Sequence, residues 1–382
     1  MAKLSAVAVY TAGFLQGCAF VLIPALGTIL AAPPYHLSSS AYGVLFLPQT
    51  LGAIFGALAA DTLHRRIGSR GLFRSGVAAN VLALLLLAAA AYSSGTLAHA
   101  LLLMETLFLG VGFGLTLAAV NHYAALLFPR TATMAVTLLN AGIGGATALS
   151  PLILHGIAAW ASWGVWPLML AAGFGLVLFL PLPASTAKTN ESPRWQAAML
   201  LFALAAFLYA IGEGIFGSWA NIYISVNKAL PAHYGALALS AFWGSMTLFR
   251  ILLALVPERV IAQRWLYLAA PLGMGACFAA LPFLSSAWTL IGAFALAGAA
   301  CSVYFPFSMS YGLAAFSGQQ TRMAGLMVAA LMAGEGIGSF ALGPLQGLVA
   351  LPRIYLFSAW LALPLFVLGW QLSARVKPVN SN

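Results

Sequence analysis

PASTAKTNESPR, residues Pro183 to Arg194, is the longest polar stretch in a chain of 382 residues that is 63% hydrophobic and only 6% charged. Soluble domains carry about 25% charged residues, so a chain this poor in charge is expected to live in a bilayer, with this stretch as its one long excursion into water. Working outward from it, apolar windows long enough to cross a hydrocarbon core, about 20 residues at about 1.5 Å each, fall at 5–31, 41–61, 73–93, 98–127, 132–160 and 164–182 on one side. On the other they fall at 196–226, 234–256, 265–285, 288–315, 323–349 and 353–374. The expected fold is an all-α membrane protein of twelve transmembrane helices in two six-helix bundles, 1–182 and 196–382, with 183–195 as a cytoplasmic linker.

The charges orient this arrangement. With the N-terminus inside, fourteen of the sixteen Lys and Arg residues lie on or near the cytoplasmic side, and only Lys228 and Arg353 fall outside. One span more or fewer would scramble that division, so the positive-inside rule supports both the count and the orientation. The expected location is the cytoplasmic (inner) membrane, multi-pass, with both termini cytoplasmic. The net charge of +10 does not point to nucleic acid, because that needs a basic patch on a water-soluble face. Cys18, Cys277 and Cys301 are far apart in apolar runs, which excludes a disulfide framework and a zinc spacing. The apolar run from Leu4 to about Ala32 exceeds the core of a signal peptide, and is read as a retained first helix. No cofactor or metal is expected, lipid surrounds the chain, and it is expected to act as a monomer.

The two halves resemble each other. Arg130 to Leu152 reads RTATMAVTLLNAGIGGATALSPL and Arg322 to Leu345 reads RMAGLMVAALMAGEGIGSFALGPL, each opening on Arg and closing on Pro around a glycine cluster. An offset of 197 carries Gln16-Gly17 onto Glu213-Gly214 and Asp61 onto Glu258. A parallel repeat of this kind implies a substrate site between the bundles near the midplane, with alternating access by rocking.

Twelve helices, a central linker and two similar halves resemble the major facilitator superfamily over nearly the whole chain. The signature of that superfamily between its second and third helices is echoed by Gly56, Asp61, Arg65, Arg66, Gly68 and Arg70 in GALAADTLHRRIGSR. The resemblance implies a charge relay there that latches the cytoplasmic helix ends, joined by Arg250 and Glu258 in the second half, with its own spacing of acid and base. Within the superfamily the sequence is most similar to the fucose-permease-like sugar transporters, through Gly212, Glu213 and Trp219, FWGSMTLFR from Phe242 to Arg250, and GFGLTLAAVN from Gly112 to Asn121. A sugar or similar hydroxylated solute is what that likeness implies.

The chain holds six acids, Asp61, Glu105, Glu191, Glu213, Glu258 and Glu335. Glu213 lies mid-run in AIGEGIFGSWANIY, Ala210 to Tyr223, and Glu335 about 20 Å beyond Arg322. Acids at such depth are costly and face a partner or a water-filled cavity, so one or both are expected to exchange protons during transport; helix-packing carboxyls are the plainer alternative. Glu105 is placed nearer the outer end of the fourth helix, where it can snorkel to the interface or serve as a gate or coupling acid. His122 and His155 are weaker candidates, His122 as a substrate or proton contact. Amides and aromatics cluster in the same helices: Gln16, Gln49, Asn121, Asn140, Trp219, Asn221, Tyr223, Trp243, Tyr304 and Tyr311. A site for a hydroxylated solute needs flat apolar faces and amides together, while Trp219 and Tyr223 also suit an interfacial belt. The glycine runs suit close helix approach rather than a nucleotide loop.

The reading is a secondary transporter of a small organic solute working by alternating access, with protons as the candidate coupling ion. With Arg250 and Arg322 placed towards the cytoplasmic ends, the pore is expected to lack a basic group at mid-depth. An exporter of hydrophobic or cationic compounds is the rival. An enzyme or sensor would need a clustered catalytic set or a soluble domain, and is not expected.

Overall fold

The protein is described by a computed structural model, which covers residues 2–184, 196–255, 263–316 and 320–375. With no water in a bilayer core, backbone N–H and C=O groups must pair within their own segment, and the described residues are accordingly helical with no strand. Eleven helices among them are long and apolar enough to cross a membrane. The twelfth segment, the short helix Val165–Leu178, is roughly 21 Å long. It is shorter than its apolar window because the chain turns at residues 159–164 before it and meets Pro181 and Pro183 after it.

In the first half α1 (Ala2–Phe20) and α2 (Leu22–Ala31) make the first span. The second span begins with α3 (Ser39–Val44) and continues in α4 (Phe46–Ala91), which also contains the third. Then come α5 (Gly95–Leu127), α6 (Ala132–Ala158) and α7 (Val165–Leu178). The second half comprises α8 (Ala197–Ile222), followed by a π-helical turn at Tyr223–Asn227, then α9 (Ala232–Leu255), α10 (Gln263–Ala280), α11 (Ala287–Ala315) and α12 (Gln320–Leu345). Its last span is α13 (Leu351–Ser358) with α14 (Ala362–Arg375). Arg65, Arg66, Arg70 and Arg264 stand at the end of the molecule that the charge bias leads one to expect inside, and Lys228 and Arg353 at the opposite end.

Two kinds of residue interrupt these helices. The first span breaks at Val21, just before Pro24, and the second at Leu45, just before Pro48. Proline has no N–H and its ring crowds the preceding turn, so both helices are interrupted one turn ahead of it. At Gly68 (φ 71°) the chain leaves helical geometry within α4, in the left-handed region that glycine enters without steric cost. That one residue turns the second span into the third, whose helix is already formed ahead of the apolar window that starts at 73.

Candidate functional site

Between the two halves lies a cleft of about 470 Å³, part of it open to solvent. The first half supplies Phe20, Val21, Pro24, Phe46, Gln49, Thr50 and Ala53, so the two proline-interrupted segments form one wall. The second half supplies Gly217, Ser218, Trp243, Met332, Glu335, Gly336 and Ser339. The Phe20 ring meets Trp243 edge-on across the gap at 6.3 Å, and Phe113 backs it at 4.8 Å.

The cleft is shut towards the end that carries Lys228 and Arg353. Tyr42 Oη donates to the Ser218 carbonyl at 3.0 Å, Asn221 Nδ2 to the Ala25 carbonyl at 2.7 Å, and Ser39 Oγ to Gln346 Oε1 at 3.2 Å. Gly43 packs on the backbone of Gly343 and Phe340, an approach that any side chain would block. Trp219 is fully buried there, its Nε1 donating to the Ser339 carbonyl at 2.9 Å and its ring edge-on to Tyr42.

A charge cluster stands beside the cleft. Arg250 Nη2 lies 3.9 Å from Glu213 Oε1, with side-chain exposures of 41% and 8%. At that separation the pair is Coulombic rather than hydrogen-bonded, so it can part without losing a directional bond. Arg250 Nε reaches the Ser302 carbonyl at 3.4 Å, and Tyr209, beside both charges, donates its hydroxyl to the Cys301 carbonyl at 2.6 Å. Glu335 is half-buried on the cleft wall, within the electrostatic reach of Glu213 and Arg250. Gly214 makes this approach feasible, because it faces the Glu335 carbonyl where a Cβ would collide. The repeat is visible in atoms here: Gly17 meets the Ile143 carbonyl in the first half in the same way. The mid-depth basic group that the sequence reading did not expect is therefore present. Position along the helix gives the depth of the Arg250 backbone, while its long side chain carries the charge several ångströms further.

Other candidates land elsewhere. Gln16 is 1% exposed and accepts from Asn80 Nδ2 at 2.6 Å inside the first bundle, where Asn80 also reaches Thr116 Oγ1 at 3.1 Å. Tyr304 is buried between Tyr209 and Tyr267, its hydroxyl on the Leu365 carbonyl at 2.8 Å, and Tyr311 meets Tyr267 edge-on. Tyr223 donates to the Leu281 carbonyl at 3.0 Å. None of these lines the cleft. Asn140 donates to Asn121 Oδ1 at 3.0 Å and is exposed, away from the cleft lining. His122 sits against His64, ring centroids 4.9 Å apart, and His155 against His233 at 6.4 Å. Glu105 does not snorkel: it is 0% exposed, and neither carboxyl oxygen has a hydrogen-bond partner among the described residues. It lies on the packed face of α5 that continues to Gly112 and Thr116, so its short side chain points into the bundle rather than to the interface.

Of the latch candidates, Arg70 Nε donates to the Leu182 carbonyl, and Arg65 and Arg66 are exposed. Glu258, linker residues 185–195 and the side chain of Asp61 lie outside the described residues. Sequence reasoning missed Phe20, Phe46, Thr50, Ser218, Met332 and Ser339 on the cleft wall. For Ser339 a signal existed, since it follows Glu335 by one helical turn and bonds that residue's carbonyl at 2.8 Å.

No family model matches the chain. Bypass of stop codon protein 6 from Saccharomyces cerevisiae is 22% identical over 268 residues, 60% of this chain and 52% of that protein. The chain thus spans about half the length of the curated relative it matches. Among solved structures, the nucleoside transporter NupG superposes with a TM-score of 0.76 at 13% identity, over 97% of this chain and 100% of that one. The xylose transporter XylE from E. coli, in an inward-open conformation, gives 0.76 at 16% identity over 99% and 98%. At such low identity the likeness speaks for architecture alone, and this chain is a multi-pass membrane protein with the two-bundle major facilitator fold that NupG and XylE display.

Proposed function

We propose that the protein is a secondary transporter of the major facilitator superfamily. It moves a small organic solute across the cytoplasmic membrane by alternating access, with both termini cytoplasmic and the boundary between its halves at 183–195. The observation that carries this reading is the Glu213–Arg250 pair with Glu335 on the wall of a cleft between the bundles. Two carboxylates sharing one guanidinium hold a labile charge balance, and a proton or a ligand that restores it biases the rocking equilibrium. Glu105, a buried carboxyl without a hydrogen-bond partner among the described residues, is a third candidate for coupling. Kinship with the fucose-permease-like branch is supported by the meeting of its two helix motifs, since Glu213 of the first touches Arg250 of the second. A sugar-like solute is the substrate that kinship supplies. An exporter of cationic compounds is the second reading, favoured by the excess of carboxylate over guanidinium at the cleft.

The test is transport in proteoliposomes under imposed pH gradients. Glu213→Gln and Glu335→Gln are expected to abolish the dependence of uptake on the gradient while exchange of labelled solute persists. Unchanged pH dependence in both variants would refute the coupling.

A further inference from the structure

Helices α6 and α9 run antiparallel along the boundary between the halves. Gly144 of α6 faces Thr247 of α9, and one turn further on Ala148 faces Gly244. Followed to the end that carries Lys228 and Arg353, the helix pair finishes in two imidazoles, His155 in the last turn of α6 and His233 in the first turn of α9. Their ring centroids are 6.4 Å apart with 47° between the planes, and both residues are exposed. Each half thus contributes one ring, on helices packed firmly enough to hold the spacing. Tyr234 backs the His233 ring at 3.9 Å between centroids and itself meets Trp288 edge-on at 6.0 Å. His155 lines a crevice of about 620 Å³, part of it open to solvent, which Thr28, Pro151, Asn221 and Ala236 also border. Water therefore reaches the space beside this ring.

Imidazole nitrogens suit Zn²⁺, Ni²⁺ and Cu²⁺, whereas Mg²⁺ and Ca²⁺ take oxygen ligands. Two imidazoles that bind one ion through bonds of about 2.0–2.1 Å have ring centroids about 5–6 Å apart. The observed spacing is a small side-chain rotation away from chelation. Among the described residues no cluster of three or more His, Cys, Asp or Glu stands ready for a metal. The remaining coordination positions fall to water, which makes this an exchangeable site rather than a structural one.

We propose that His155 and His233 form a two-imidazole site for a divalent transition-metal ion, Zn²⁺ in the first place, that bridges the two halves at their closed end. The ion binds the arrangement in which these helix ends are together and is released when they part, so it acts as a brake on any motion that separates them. Binding needs only the closed arrangement, whereas the brake rests on the reading that the halves rock.

Purified protein without a histidine tag, in detergent, is titrated with ZnCl₂ and NiCl₂, and with MgCl₂ as the oxygen-seeking control. Zn²⁺ and Ni²⁺ are expected to raise the melting temperature in a saturable manner, and Mg²⁺ not to. His155→Ala and His233→Ala should each weaken Zn²⁺ at least tenfold while the melting temperature without metal holds. His99→Ala, which removes a half-exposed imidazole elsewhere, should leave Zn²⁺ binding intact. Full Zn²⁺ affinity in either of the first two variants, or an equal response to Mg²⁺, would overturn the site. For the bridge, spin labels on Ser94→Cys and Ser285→Cys, exposed positions on opposite halves, report the separation of the halves at this end. Saturating Zn²⁺ is expected to confine that distance to its shortest population, and EDTA to restore the longer one. A longer population that persists at saturating Zn²⁺ would overturn the bridge. Histidine-dependent Zn²⁺ binding with only the short population present, with and without the ion, would keep the site and count against the rocking itself.

Discussion

Arg250 illustrates how much one side chain decides. Its guanidinium is 41% exposed and stands 3.9 Å from a carboxylate that is 8% exposed, so the two partners are desolvated unequally. Removing the cation leaves Glu213 buried and uncompensated, which for a fully buried pair costs about 3–5 kcal/mol; solvent access to Arg250 reduces the expected loss to about 1–3 kcal/mol. Arg250→Ala should therefore lower the melting temperature and stop transport, and adding Glu213→Gln should restore most of the stability but not the transport. Thermal unfolding of the two variants beside uptake checks both halves of the statement. Glu105 should behave in the opposite way. Its two carboxyl oxygens have no hydrogen-bond partner among the described residues of a packed bundle, and replacing an unsatisfied buried polar group by an apolar one of similar shape is neutral to stabilising. Glu105→Met should raise stability by about 1 kcal/mol, read by thermal unfolding; a fall would mean that the acid finds a partner in another state of the cycle.

At the level of the helix, glycines with similar surroundings in sequence have different work to do. Gly17 and Gly214 each press on a backbone carbonyl of the neighbouring helix, Ile143 and Glu335, which cannot move aside as a flexible side chain would. Gly142 and Gly145 have open space where a Cβ would go. Gly214→Val is expected to cost about 1–3 kcal/mol by overpacking and to displace Glu335 from the cleft wall. Gly142→Ala should be neutral or stabilising by up to about 1 kcal/mol through helix propensity. Chemical denaturation of the two variants distinguishes them. The same contrast separates what composition dictates from what packing decides. Apolar length, the charge bias and the repeat of glycine clusters set the helix count and the two-bundle fold, because bilayer thickness and the positive-inside bias act on composition alone. The rotation of each helix is not legible in the sequence: in a bilayer the lipid face and the packed face are both apolar, so no polar stripe fixes the phase. That is why Gln16, at a plausible depth, turns into the first bundle while Gln49 reaches the cleft. It is also why Phe20 and Phe46 carry no mark in the sequence of their place on the cleft wall.

For the molecule as a whole, the consequential feature is that, among the described residues, the hydrogen bonds between the two bundles gather at one end. Contacts from Ser39 to Gln346, Tyr42 to Ser218 and Asn221 to Ala25 all lie towards the end that carries Lys228 and Arg353, the outer end in the proposed orientation. Alternating access requires them to break in the other half of the cycle, since the cleft beneath them has no other way to open outward. These bonds are few and mostly neutral, each contributing about 1 kcal/mol net, so the closed state can exchange without a large barrier from them. Holding that end shut should then arrest the cycle without harming the fold. Cysteines introduced as Ser39→Cys and Gln346→Cys stand where the native side chains touch at 3.2 Å, and the native Cys18, Cys277 and Cys301 are buried away from reagents. A short bifunctional thiol reagent that a reductant can cleave is expected to abolish uptake in the double variant, and cleavage to restore it. Each single variant should be indifferent to the same treatment. Uptake that continues at full rate with the bridge in place would mean that the outer ends never separate, and alternating access by rocking would have to be abandoned for this protein.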